Sequence, residues 1–468
     1  MRKLLKILGI SIGTLLLIVI LFLVWALEKV DHTPYWEQES YTLTRTRYDS
    51  LAVHLSPQRG KVFAGFSKVS LTPTLGAGKD DPARGSFRAV PLAGFGDREG
   101  RPAEGIHDSL FIKAVALRVG RDTLVLIASD ILIVPAEVAA KVTEELARTQ
   151  GMRRSQLFFS ATHTHSGVGA WAEKYVGKEF AGDYNPAVID WLVRQYSAAV
   201  VQALADLQPA ALASGTFEIP SYVKNRLVGD KGFKNGQFAW LVVRQDAGRK
   251  AVLGSFAGHP TTLGGWNMLL SGDYPGYWQR RLERQDYNLA LFFAGPVGSH
   301  SIRGKGEKFD KPRNTGEALA DSTLHHLASP HLEDTLILAS LTLPVTLPPF
   351  HVRVTDNLRL RPALVNKLFP PVGKVYLQAA RLGKMIWITA PCDFSGELAL
   401  HYQALAEAHG LHAMVTSFNG AYIGYVIPGK YYHLNEYESR LMSWFGPYTG
   451  PWFDEMITRM EKTLLSTE

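Results

Sequence analysis

A single cysteine, Cys392, stands in 468 residues. That excludes an intramolecular disulfide framework, a dithiol redox pair and any metal site built from several thiolates. A metal in this chain has to be held by histidine and oxygen ligands. An excess of one charge is also lacking. The 50 Lys and Arg face 43 Asp and Glu, for a formal net charge of +7, and Arg2, Lys3 and Lys6 stand together at the start. Setting those three aside leaves 47 against 43, with no basic stripe of the kind a nucleic-acid partner requires. Internal repeats and low-complexity linkers are missing as well. What is present is apolar: 46% of the residues are hydrophobic, enough to bury one large core and too many for a disordered chain.

The one long apolar run lies at the N-terminus. Residues 7–27 carry no charge and are rich in Leu and Ile, about the length that crosses a bilayer core as a helix. The basic residues in 1–6 assign that end to the cytoplasm, so everything after Glu28 is expected on the extracytoplasmic side. The run exceeds the usual apolar region of a cleaved signal and no small-x-small site follows Trp25-Ala26-Leu27, so an uncleaved signal anchor is expected. Gly9-Ile10-Ser11-Ile12-Gly13 matches a hydrolase nucleophile elbow by chance, because its serine lies within the apolar helix. Residues 28–61, with mixed charge and no clear periodicity, are expected to form a stalk.

From residue 62 to 468 the pattern predicts one α/β domain: a mixed β-sheet core covered by helices. Strand-length apolar runs fall at Val62–Leu71, Phe111–Val119, Thr123–Ser129, Gln156–Thr162, Ala211–Ile219, Phe238–Arg244, Val252–Ala257, Leu289–Ala294, Thr335–Val345, Lys374–Arg381 and Met385–Thr389. Helical periodicity appears near 135–150, 186–207, 275–286, 314–328, 396–409 and 451–466. Turns as short as Gly120-Arg121-Asp122 imply hairpins among the crossovers, hence a mixed rather than a parallel sheet.

Chemistry gathers at strand ends. In Ser160-Ala161-Thr162-His163-Thr164-His165-Ser166-Gly167 an apolar strand runs into two histidines two residues apart, which share one face at strand period. Such a pair suits a metal, or a mutually hydrogen-bonded couple. Phe256-Ala257-Gly258-His259-Pro260 repeats the context, and open α/β sheets hold ligands at the carboxyl ends of their strands. Asp393, in Ala390-Pro391-Cys392-Asp393, lies between a strand and a helix, where an acid also serves as an ordinary helix-start signal. Asp130 ends another strand and could orient a ligand imidazole or cap the next turn. His107-Asp108 and His325-His326 read as structural or surface residues.

The ordered set Gly94-Phe95-Gly96, Gly105-Ile106-His107, Thr162-His163-Thr164-His165-Ser166-Gly167, Asn225-Arg226, His259, Ser271-Gly272-Asp273 and Gly424-Tyr425-Val426 resembles that of the neutral/alkaline (non-lysosomal) ceramidases, over roughly residues 62–466. The resemblance implies a zinc hydrolase that cleaves the amide of N-acyl-sphingosine, with a lipid as its partner. It implies Zn2+ ligands at His163, His259, Asp393 and Tyr425. His165, Arg226 and Tyr437 fall on positions around the scissile amide, and Ser299 on a loop serine near the metal. Zinc would make a hydroxide available near neutrality. Arg226 and Tyr437 would face the oxyanion, and His165 would protonate the leaving amine.

Three departures from the family pattern stand out. Asp393 occupies a position where the family has glutamate, with Glu397 one turn on as the alternative. The loop Ala294-Gly295-Pro296-Val297-Gly298-Ser299-His300-Ser301 keeps the serine and lacks the preceding asparagines. The family's C-terminal immunoglobulin-like domain is not expected here. Two other functions fit the same residues: a zinc hydrolase of another exported acyl amide or ester, and a lipid-binding protein without catalysis.

Overall fold

Three stretches of the sequence repeat one local logic: a buried apolar strand, an amphipathic helix, then a second apolar strand. Strand Asp122–Ser129 leads through helix Ala136–Gln150 to strand Leu157–Ala161. Lys250–Phe256 leads through Asp273–Gln285 to Leu289–Ala294. Met385–Thr389 leads through Gly396–Ala408 to His412–Thr416. In each unit the two strands pair in parallel, as a helical crossover allows and a hairpin does not.

The computed structural model describes residues 2–467. The three units are joined in a twelve-stranded sheet whose remaining pairings are antiparallel. Strand Gln58–Ser70 is the branch point: its first residues pair with Thr335–Val345 and its remainder with Phe111–Val119. Phe66, Leu126, Phe158, Leu253, Phe293 and Trp387, drawn from all parts of the sheet, belong to one buried cluster. Each such side chain contributes about 1.5–3 kcal/mol on leaving water. Helices cover the outward faces, Pro186–Ala205 and Ala136–Gln150 on one, Thr449–Leu465 and Gly396–Ala408 on another. The predicted mixed sheet with helical cover is the observed fold.

Differences fall on short elements. Strand His412–Thr416 (HAMVT) and helices Lys174–Ala181 and Pro362–Leu368 are too brief for a period to register. Residues 28–61, expected as a stalk, are part of the body. Helix Glu39–Val53 packs on strand Thr335–Val345 and helix Thr449–Leu465. Tyr48 is buried there and its hydroxyl donates to the Arg459 carbonyl at 2.9 Å. Tyr35 and Tyr41 each donate to the Glu455 carboxylate at 2.8 Å. The segment is polar on average, with its burial carried by a few tyrosines and threonines, so no apolar stripe marks it. The N-terminal helix spans Arg2–Ala26, of which Lys3–Ala26 is long and apolar enough to cross a membrane. Leu27, expected as its last residue, opens strand Leu27–Lys29 instead.

Candidate metal centre

Each of the three strand–helix–strand units delivers site residues from a strand's carboxyl end. The first supplies His163 and His165 just past Leu157–Ala161. The second supplies His259 past Lys250–Phe256, and the third Asp393 past Met385–Thr389. The ends are knitted together: the Ser417 amide donates to the Ala294 carbonyl at 2.9 Å, and the Ser160 hydroxyl to the Ser417 carbonyl at 2.8 Å. Rigid strands thereby fix where the loops begin.

The three imidazoles converge through their Nε2 atoms. His163 and His259 are 3.1 Å apart there, His165 and His259 3.1 Å, and His163 and His165 3.3 Å. Every Nδ1 faces a backbone carbonyl: His163 that of Leu132 at 2.7 Å, His165 that of Gly94 at 3.1 Å, His259 that of Val297 at 3.3 Å. A proton on each Nδ1 satisfies these bonds and turns three Nε2 lone pairs toward one point. Burial pushes His165 and His259 well below the usual histidine range, and the neighbouring Arg226 charge adds to it, so neither takes up a proton to relieve that convergence. A cation between them does. The edge of a tetrahedron with metal–nitrogen bonds of about 2.0–2.1 Å is about 3.3 Å, close to these separations.

Asp393 lies beside the three imidazoles. It is buried, its Oδ2 accepts a hydrogen bond from the Tyr422 hydroxyl at 2.8 Å, and its Oδ1 has no hydrogen-bond partner. That orphaned oxygen lies 3.4 Å from His163 Nε2. A buried carboxylate oxygen left bare is costly, and a metal ion is a partner that would satisfy it. The three histidines are positioned to hold a metal ion, and Asp393 fits as an oxygen ligand beside them.

The backbone is bent to make this arrangement. His163 has a φ of 61° and Phe418, whose ring stacks on His163 at 4.2 Å between centroids, a φ of 66°. Left-handed geometry at two non-glycine residues is uncommon and persists where the surroundings over-determine it. Gly94 has a φ of 120°, and a Cβ there would meet the His165 ring at 2.6 Å. Only glycine brings that carbonyl to His165 Nδ1.

Around the cluster stand Arg226, Tyr425 and Tyr437. Arg226 Nε is ion-paired with the buried Glu438 carboxylate. Against the cost of burial, the carboxylates of Glu438 and Asp393 help hold its guanidinium charged. Tyr425 is buried and pairs in register with Asp393 on short parallel strands. Burial and the Asp393 charge push its hydroxyl well above the ordinary tyrosine range. Tyr437 meets Tyr425 edge-on at 5.9 Å and is 49% exposed, so it stands at the rim. It too is raised, by burial and then Asp393.

Three residues named from sequence lie elsewhere. The Ser299 hydroxyl accepts the Gly396 amide at 2.9 Å and lies 3.0 Å from His300 Nδ1, so it anchors the start of helix Gly396–Ala408. Glu397, the alternative to Asp393, is ion-paired with Lys430. Asp130 touches neither a ligand histidine nor the next turn. Its carboxylate accepts the Phe111 amide at 2.9 Å and the Gln279 amide group at 3.0 Å. His165, expected as a proton donor beside the metal, has its Nε2 inside the cluster. Tyr422, Glu438 and Arg98 were not legible beforehand. Arg98 donates to the His165 carbonyl at 2.5 Å. The only signals for these three were a second tyrosine three residues before Tyr425, the acid next to Tyr437 and the arginine in Gly94-Phe95-Gly96-Asp97-Arg98.

Residues 74–295 match the family model described as neutral/alkaline non-lysosomal ceramidase, N-terminal. The chain is 28% identical over 262 residues to the neutral ceramidase of Mycobacterium tuberculosis, covering 48% of this chain and 41% of that protein. To the neutral ceramidase of Pseudomonas aeruginosa it is 26% identical over 272 residues, covering 52% and 40%. The chain thus matches about two fifths of the length of these curated relatives. The crystal structure of the Pseudomonas aeruginosa neutral ceramidase shares the fold, with a TM-score of 0.70 at 20% identity, over 87% of this chain and 75% of that one.

Proposed function

We propose, from this match to the neutral/alkaline non-lysosomal ceramidase family, that the chain is a zinc-dependent amidohydrolase. It cleaves the amide of ceramide or a related N-acyl lipid to a fatty acid and a sphingoid base. The observation that carries this reading is the convergence of three histidine Nε2 atoms, with the unpartnered Oδ1 of buried Asp393 3.4 Å from that of His163. His163, His259 and Asp393 would hold the zinc, with Tyr425 as the fourth ligand. A bound zinc would supply Lewis acidity toward an acyl carbonyl and a nucleophilic water near neutral pH.

The chain's own residues supply the rest. Arg226, fixed by Glu438, presents a planar fork of donors toward charge that develops on the carbonyl oxygen, and the Tyr437 hydroxyl adds a second donor from the rim. His165 is the least buried of the three imidazoles. It is the one placed to take a proton from the attacking water at Nε2 and hand it on to the departing amine, with its ring fixed by the Gly94 carbonyl. Burial of the other two keeps bulk water from competing for their lone pairs.

The N-terminal helix anchors the chain to a membrane, with residues 1–6 cytoplasmic and the domain outside, as the basic N-terminus supports. The domain starts directly after the helix, without a stalk.

The test is release of fatty acid from a fluorescent long-chain ceramide by the full chain in detergent. Activity should be abolished by a chelator and restored by zinc. Chelator-insensitive turnover, or none on any N-acyl lipid with zinc bound, would overturn the reading. Turnover of other acyl amides or esters in preference to ceramide would keep the chemistry and move the substrate.

A further inference from the structure

The segment that leaves the apolar helix has no slack. Ala26 is buried and its carbonyl accepts the Arg361 amide at 2.8 Å. Leu27–Lys29 pairs antiparallel with Leu358–Leu360, and Glu28 is ion-paired with Arg359 at 2.9 Å. The body is therefore held close against the membrane surface from which the helix emerges, and the chain from Arg361 onward begins at that surface. Those residues form helix Pro362–Leu368, about 10 Å long at 1.5 Å per residue.

The chain that follows this helix lines a cleft of about 350 Å³. Pro370 and Pro371 form one wall, and Trp171, Phe180, Tyr422 and Trp444 form much of the rest. The volume falls at the lower end of the range for small-ligand clefts. Its inner wall is part of the metal centre's support, since Tyr422 is the residue whose hydroxyl bonds Asp393. Lys174 Nζ donates to the Asn366 carbonyl at 2.8 Å and so ties helix Lys174–Ala181 to the membrane-proximal helix.

We propose that this cleft receives a hydrocarbon chain of an N-acyl lipid directly from the bilayer that anchors the protein, entering beside helix Pro362–Leu368. The inference rests on the lipid-amidase reading above and adds the route and the seat of the chain. Exposing a long chain to water opposes its extraction from a membrane. An apolar wall that begins one short helix from the bilayer and ends at a residue bonded to Asp393 removes that exposure.

The experiment uses the full chain in phosphatidylcholine nanodiscs that contain a long-chain N-acyl sphingosine with a diazirine near the end of its acyl chain. After illumination, labelled peptides are mapped by mass spectrometry. Label should appear within residues 133–140 and 370–374. Ala140 is an exposed residue at the cleft edge, so Ala140→Trp should fill the cleft without unfolding the chain, which an unchanged Tm verifies. It should reduce the labelling about tenfold and raise KM for the long-chain lipid, while turnover of a soluble short-chain analogue stays as it was. Label confined to residues 3–26, or unchanged in Ala140→Trp, while lipid hydrolysis proceeds would overturn the inference. Cleft labelling without amide hydrolysis would instead overturn the amidase reading and leave the cleft standing.

Discussion

Asp393 has one satisfied oxygen and one bare one, and metal binding turns on that difference. Asp393→Asn should lower zinc affinity by more than about 100-fold, because it removes the carboxylate beside the cluster and replaces half of it with an N–H donor that repels a cation. His163→Ala and His259→Ala should do the same, read as zinc per chain by elemental analysis. Full zinc retention in all three would end the metal assignment. The residues around the cluster should divide differently. Arg226→Ala and Tyr437→Phe should each keep the zinc and lower kcat by about 10²–10³. Glu438→Gln should lower it by about tenfold, since Arg226 stays charged but loses its fixed orientation. His165→Ala should keep the zinc and lose more activity on an amide than on an ester, because an alkoxide leaves with less help than an amine. Loss of zinc in His165→Ala would make it a ligand instead. The histidines were legible because strand period and a short motif place them together. Glu438 and Tyr422 were not, because their roles arise from contacts between loops distant in sequence, which no local pattern encodes.

At the level of elements, helix Glu39–Val53 is where the sequence misleads most. Its burial rests on Tyr48, Thr44 and Ser40 rather than on an aliphatic stripe, so the period that reveals an amphipathic helix is too faint to read. Tyr48→Ala should destabilise the whole domain by about 3–5 kcal/mol, as large aromatic deletions do. It removes a buried ring together with bonds to Arg459 and Thr463. Chemical denaturation should show one transition shifted to lower denaturant. No shift would mean that residues 28–61 hang free as a stalk. Strands such as Phe111–Val119, Asp122–Ser129 and Leu289–Ala294 were legible because their apolar runs are buried on both faces, and in two of the three parallel units both strands stood out by alternating with a helix. Strand His412–Thr416 gave no such signal, with Ala and Met in place of β-branched residues.

Over the whole molecule, two buried ionisable groups set opposite pH limits. His351 accepts the Asp31 amide at Nε2, and burial beside Arg359 pushes it down to about 3. Between about 6.5 and 3 the unfolded chain binds the proton and the folded one does not, so stability falls as pH falls through that window, by about 3 kcal/mol at pH 4. Glu461 is fully buried with neither oxygen partnered, and burial, with the Asp454 charge, pushes it up to about 8. There the folded chain keeps the proton from about 4.5 to 8, so stability falls as pH rises, by an amount on the order of a few kcal/mol. Melting curves should show His351→Gln flattening the acid side and Glu461→Gln raising Tm at pH 8 but not at pH 4. Identical profiles for wild type and both variants would remove these groups as the cause.

The pairing of Leu27–Lys29 with Leu358–Leu360 also sets a timetable. The ribosome delivers the apolar helix first, and residue 360 emerges only after some 330 more have been made. Until then the N-terminal strand has no partner, and the segment that includes the tyrosines of helix Glu39–Val53 stays open. The last quarter of the chain therefore closes the first tenth, and synthesis that stops before Thr335 leaves an unclosed N-terminus for quality control to find.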